Sequence, residues 1–253
     1  MDMVKYTVTA GYGFNSKLKA FVSVPYLRNT MEMTSYQGMM MGWMDMTMQP
    51  VSGVGDVTAM ALYRIYTDRE LRPSDALTIG LGLKAATGSS TETTSTGRLV
   101  HAHMQPGTGS WDPLLSVIYT KMLESLQLQA DATYQYTMRN RQGYEFGDSL
   151  AAGLTTRYAV IREVGITAGL TYLHVGKADD RDGRYYNPAT NSSLMDDPAN
   201  TGGDSIWFSP GLQVFPVRNL SFDAKFQVPL YENVNGIQLV SRYRMLFGLA
   251  YAF

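Results

Sequence analysis

Cysteine is absent from the 253 residues, so neither a disulfide nor a thiolate metal site can form. Missing thiols fit an oxidising compartment only weakly. No run of roughly 18 apolar residues occurs, which excludes a helical membrane span. Neither sign of charge is in excess: 21 basic and 22 acidic side chains leave −1. A nucleic-acid partner, which needs a basic footprint, is thereby excluded. Charged residues make up 17% of the chain, against about 25% in a soluble domain. The opening run Met1-Asp2-Met3-Val4-Lys5-Tyr6 shows no charged region followed by an apolar core. An exported chain would then have had its signal removed or never included.

The residues present are unusual in arrangement rather than in apolar content, which is an ordinary 45%. Leu126, Leu128, Ala130, Ala132, Tyr134 and Tyr136 alternate with Gln127, Gln129, Asp131, Thr133, Gln135 and Thr137. A period of two gives a strand one apolar and one polar face. The same division recurs at Leu77 to Leu83 and at Leu220 to Leu230, with no competing helical stripe. Eleven such segments are expected, near residues 3–14, 17–27, 53–66, 76–86, 109–122, 126–138, 148–159, 164–175, 204–215, 220–230 and 241–253. At about 11 to 13 residues they exceed globular strands and suit a tilted bilayer crossing.

Connections alternate short and long. Short turns fall at Asn15-Ser16, 67–75, 123–125, 161–163 and 216–219, and long loops at 28–52, 87–108, 139–147, 176–203 and 231–240. This predicts an all-β, antiparallel, up-and-down transmembrane barrel occupying the chain as one domain, residues 1–253. A lipocalin-like barrel or sandwich also alternates, but its outer face is charged. Here the polar face is mostly Gly, Ser, Thr and Gln, which suits a hydrated lumen. Closed bacterial barrels have even strand numbers with both termini periplasmic. Eleven visible strands are therefore expected to belong to a 12-stranded barrel whose signal and first strand lie upstream. Such a barrel is roughly 24 Å across its backbone, with about 10 Å free between side chains.

Several segments carry a family resemblance. Val24-Pro25-Tyr26 closes an early strand and Gly53-Val54-Gly55-Asp56-Val57 opens the next, followed by Ala61-Leu62-Tyr63-Arg64. Then come Leu81-Gly82-Leu83-Lys84-Ala85-Ala86-Thr87-Gly88, Gly107-Thr108-Gly109-Ser110-Trp111-Asp112-Pro113 and Gly143-Tyr144-Glu145-Phe146-Gly147-Asp148. Val228-Pro229-Leu230-Tyr231 and Asn235-Gly236 precede the last strand. In this order the segments resemble the outer-membrane transporter family labelled "putative MetA-pathway of phenol degradation". Ala86-Thr87-Gly88 stands where the family usually has Pro-Thr-Gly. The resemblance implies a bacterial outer-membrane channel or transporter, with a link to aromatic degradation in its name.

Charged positions on the polar faces are the lumen candidates: Lys19, Asp56, Arg64, Lys84, Asp131, Arg157, Asp223, Lys225, Arg242 and Arg244. Seven cations against three anions favour anionic or polar solutes, unless the charges pair across the barrel and plug it. The terminal face Tyr243, Met245, Phe247, Leu249, Tyr251, Phe253 resembles the signal read by barrel-assembly machinery, with Tyr251 and Phe253 at its end. Lipid and lipopolysaccharide are the expected surroundings.

The oddest segment runs from Met31 to Met48, with eight methionines in eighteen residues: Met31, Met33, Met39, Met40, Met41, Met44, Met46 and Met48. Thioethers are soft ligands that select Cu(I). Met39, Met40, Met41, Met44, Met46 and Met48 with His101 and His103 of the next long loop form a candidate soft-metal site. Met is equally an adaptable apolar filler. Asp179, Asp180, Asp182, Asp196 and Asp197 read as a solvated acidic loop, since the bidentate Glu of a calcium loop is absent. Three histidines, with His174 near a strand end and no nucleophile elbow or metal-protease motif, point away from catalysis. No cofactor is expected. The competing readings are a passive channel for small, aromatic or apolar molecules and a closed barrel whose loops bind copper or a partner.

Overall fold

Period-two alternation lets every strand bury its polar backbone in ladders while sorting its side chains to two faces. In the computed structural model, which describes residues 1–36, 43–70, 73–95, 97–187 and 194–253, the strands are β1 (Asp2–Gly13), β2 (Leu18–Thr30), β3 (Glu32–Tyr36), β4 (Trp43–Thr47), β5 (Val51–Val54), β6 (Thr58–Thr67), β7 (Asp75–Lys84) and β8 (Asp112–Leu123). They continue with β9 (Leu126–Gln135), β10 (Tyr144–Glu145), β11 (Ser149–Ile161), β12 (Val164–Val175), β13 (Asp179–Asp180), β14 (Gly203–Val217), β15 (Leu220–Val234) and β16 (Arg244–Tyr251). Strands β1, β2, β6, β7, β8, β9, β11, β12, β14, β15 and β16 lie side by side in that order, each antiparallel to its neighbour. These are the eleven long strands that the alternation predicts, curled into a half-barrel. Among the described residues β1 pairs only with β2 and β16 only with β15, so the sheet is open along that seam.

Several boundaries depart from the sequence reading by three or four residues, among them the start of β8 at Asp112 and the end of β15 at Val234, and two departures bear on the site. The expected strand 53–66 is divided into β5 and β6 by Gly55-Asp56-Val57. Strand β2 is long enough to pair with both pieces, Tyr26 to Asn29 with β5 and Leu18 to Ser23 with β6. The last strand begins at Arg244 rather than near 241, which leaves Arg242 in the bend before it.

The faces are inverted relative to a water-soluble protein. Leu81 is 65% exposed, Leu154 62% and Phe247 80%, and Tyr134, Leu170, Leu212, Phe222 and Phe226 share this convex surface. On the other face Gln129, Asp131, Thr155, Arg157 and Lys225 are half-buried, and Ser116 and Ser209 are buried. Exposing large apolar side chains while covering charges would be unfavourable in water, and is what hydrocarbon requires. Tyrosines mark the rims. The Tyr119, Tyr134 and Tyr172 hydroxyls each donate a 2.6 Å hydrogen bond to Asp75, Asp148 and Asp204 on the adjacent strand or loop. An apolar ring with a polar tip fits the edge of an apolar belt.

Candidate functional site

The concave face is built around glycine. In register, Gly153 faces Asp131, Gly211 faces Lys225, and Gly248 faces Asp223. A Cβ on Gly248 would stand 2.2 Å from Asp223 Oδ1, and one on Gly165 would stand 2.9 Å from Arg157 Nε. Each charged side chain therefore lies flat across a neighbour that has none, which keeps it against the wall.

A cavity of about 400 Å³ results at the short-turn end, lined from five strands, β9, β11, β12, β14 and β15. Gln127, Gln129, Thr155, Thr167 and Gln213 supply uncharged polar groups, and Arg157, Lys225 and Asp223 supply charge. The Arg157 guanidinium sits 4.8 Å over the Phe215 ring. Asp131 accepts a 3.0 Å hydrogen bond from Gln129. Four of the ten predicted lumen residues are thus brought to one region of the concavity.

Asp56 and Lys84 do something else. At the long-loop end Lys84 Nζ lies 3.3 Å from Asp56 and 2.5 Å from Asp112, with all three side chains nearly or fully buried. It also donates to Thr108 Oγ1. Asp56 accepts from the backbone N–H groups of Gly88 (3.0 Å) and Thr108 (2.8 Å), and Asp112 from the Gln135 amide and the Met138 N–H (both 3.0 Å). Gly88 and Gly107 touch backbone to backbone beside Gly55, an approach that a Cβ would block. This cluster clamps loop 85–111 to the strand ends.

Of the remaining lumen candidates, Lys19 lies opposite Gly13 and is exposed, whereas Arg64 is half-buried opposite Thr78. Arg242 is exposed outside the strand. Arg244 stacks 4.0 Å over buried Trp207, beside a second cavity of about 180 Å³.

The long loops interlock as a cap. Met31, Val51, Val100 and Met104 form one buried cluster against which Met48 and Met195 pack; Ala102, Tyr144 and Tyr185 form another. The Asn29 amide donates to Met104 O (3.0 Å), the Asn140 amide to Thr108 O (2.8 Å), and the Tyr185 hydroxyl to Ser90 O (3.0 Å). Burial pushes the Tyr185 phenol up to about 12. His101 Nδ1 lies 2.7 Å from Asp196 Oδ2, and His103 stacks on His101 with ring centroids 5.5 Å apart. Burial lowers the His103 pKa, and the neighbouring His101 lowers it further against a smaller opposing pull from Asp196.

The acidic loop is not simply solvated. Asp180 accepts three backbone N–H bonds, from Arg184, Tyr185 and Tyr186, and Asp196 is buried against His101. Met39, Met40 and Met41 lie outside the described residues, and Met44 and Met46 stand on β4 opposite Ser35 and Met33 of β3. The described methionines Met31, Met48 and Met104 are packed on apolar neighbours. No group of three or more His, Asp or Glu residues in metal-holding geometry occurs among the described residues. His174, near the end of β12, lies 2.9 Å from Asp204.

Sequence reasoning missed Asp112, Thr167, Trp207 and Phe215. It also missed an apolar half of the concave face, where Met60 and Leu62 lie over Gly82 and Gly80. Alternation could not place these, because β6 carries apolar residues on both faces.

An apolar convex wall, a polar cavity within, short turns at one end and a loop cap at the other define an outer-membrane β-barrel. The fold is shared with the COG4313 outer membrane channel from Pseudomonas putida F1 at TM-score 0.62 and 18% identity, covering 98% of this chain and 82% of that one. Weaker likenesses are to the NanC porin (TM-score 0.45, 13% identity, 98% and 99% covered) and a Pseudomonas aeruginosa FadL homologue (0.46, 13%, 98% and 65%). No curated protein sequence matches the chain. The family model described as "Putative MetA-pathway of phenol degradation" matches residues 17–237, and the chain belongs to that family.

Proposed function

We propose that the protein is a non-catalytic channel of the bacterial outer membrane for passive passage of small molecules. The observation that carries this reading is the polar cavity of about 400 Å³ inside a wall whose outer surface is apolar. Such a lining would offer water and polar solutes an environment that hydrocarbon denies them. By analogy with bacterial barrels the short turns are periplasmic and the capped end faces outward, toward lipopolysaccharide. Tyr251 and Phe253 are exposed at the end of the last strand, where assembly machinery would read them. The competing reading is a closed barrel with copper held by Met and His; of its candidate ligands Met48 packs on the apolar loop cluster and His101 Nδ1 engages Asp196, while Met39, Met40 and Met41 lie outside the described residues.

Single-channel recording in planar bilayers tests the proposal. Discrete ohmic steps in potassium chloride are expected. A reconstituted, folded protein that never conducts would return it to a binding or structural barrel.

A further inference from the structure

The concave face is chemically divided. Its half on β2 and β6 to β8 presents Phe21, Met60, Leu62, Leu114 and Ile118, which lie on the inward register of their strands with Gly11, Gly80 and Gly82. Its other half, from β9 to β15, presents amides, hydroxyls and charges. The boundary runs between β8 and β9, where Leu114 stands beside Gln135 and Ile118 beside Asp131. One concavity therefore offers apolar patches, interspersed on the first half with Lys19, Arg64 and Ser116 on the same inward register, beside a more polar half.

Within the polar half, Arg157 and Lys225 make no ion pair among the described residues, although Asp223 lines the same cavity. Arg157 is fixed from two sides. Its Nε is buried against Gly165 with no hydrogen-bond partner, and its guanidinium plane lies on Phe215. Thr167, directly opposite in the ladder, has a buried hydroxyl that is also unpartnered. A guanidinium held flat beside a nearby ammonium is a donor set that recognises a planar carboxylate.

We propose that this cavity is a binding site for small organic carboxylates with an apolar body. The carboxylate is held by Arg157 and Lys225, and the body lies toward the Phe215 ring, which lines the same cavity. At about 400 Å³ the space falls in the range of small-molecule sites. The inference rests on the channel reading only for its role in passage, since binding is measurable without conduction.

The test uses the full chain folded in detergent micelles, with benzoate as probe, benzamide as its neutral isostere and acetate as the head group alone. Calorimetric or NMR titration is expected to show benzoate binding at least about tenfold tighter than either comparator. Arg157→Gln should weaken benzoate at least about tenfold, and Arg157→Lys less, because charge survives while the planar fork is lost. Lys225→Gln provides an independent arm with no stacking partner to disturb. Equal binding of benzoate and benzamide, or unchanged benzoate binding in both Gln variants, would overturn the carboxylate assignment. Equal binding of acetate and benzoate would overturn the apolar contact. In bilayers, current blocked by benzoate in the parent and not in Arg157→Gln places the site on the permeation path. A protein that binds benzoate yet never conducts refutes the channel reading and leaves this site standing.

Discussion

Replacing Lys84 with Met should be among the most damaging single changes in the molecule. Its ammonium lies within 3.3 Å of carboxylates on two different segments, Asp56 and Asp112, whose side chains are 5% and 0% exposed. Each pair at about 4 Å in a medium of effective dielectric near 20 carries about 4 kcal/mol of gross attraction, most of it offset by desolvation. Removing the cation does not restore water to the acids. Gly88, Thr108, Gln135 and Met138 still hold both carboxylates in place. The cost should therefore be about 3–5 kcal/mol, the figure for an uncompensated buried charge. Asp112→Asn should cost less, about 1–3 kcal/mol, because Lys84 keeps Asp56 and the amide oxygen can still accept one bond. Combining Lys84→Met with Asp112→Asn should recover part of the loss, which shows as coupling in a double-mutant cycle. Urea unfolding from lipid vesicles, followed by tryptophan fluorescence, measures all three. A loss below about 1 kcal/mol for Lys84→Met, or a larger loss for Asp112→Asn, would show that the cluster is not the clamp described.

Other expectations are as direct. Met104, fully buried in the cap, should cost about 2–5 kcal/mol as Ala but under about 1.5 kcal/mol as Leu, read by the same unfolding assay. His103 stays neutral in the folded cap, so the unfolded cap takes up a proton first as pH falls below the ordinary 6.5; the cap keeps full stability above that value and loosens on acidification. Hydrogen exchange of residues 85–111 at neutral and at acid pH should show this, and His103→Gln should flatten it. Gly248→Ala should force the Asp223 carboxylate off the wall, shifting ion selectivity toward cations in reversal-potential measurements. If Met39, Met40, Met41 and Met44 hold Cu(I), replacing them with Leu should abolish Cu(I) uptake in a competitive chelator titration while preserving thermal stability.

The wall was legible because bilayer physics writes itself into alternate residues. Strand β9 came out within a few positions, and Leu128, Tyr134, Gln129 and Asp131 fall on the faces that their alternation assigns. Legibility failed wherever a residue's role depends on a distant partner. Asp56 reads as one more polar position beside a glycine, and only the fold of loop 85–111 brings it to Lys84 and Asp112. Met60 and Leu62 alternate with Ala59, Ala61 and Tyr63, so both faces of β6 are apolar and periodicity cannot name the inner one. The segments read only as long loops carry buried Met104, Tyr144 and Tyr185, because a cap must make its own core where no lipid covers it.

The glycines tie wall to conduit. In a narrow barrel, inward side chains from every strand meet near the axis and fill it, as in small closed barrels. Placing glycine across the ladder from Phe21, Leu62, Asp131, Lys225 and Asp223 lets each large side chain lean sideways over its neighbour instead of inward. In a strand glycine weakens local β-structure and supplies nothing to pack, so its repeated use on one face makes sense only where space is the requirement. The same arrangement lays the charged groups along the wall, where the proposed selective role would leave the space open. Under the proposed channel reading, space and selectivity on this concave face would thus come from the same set of residues.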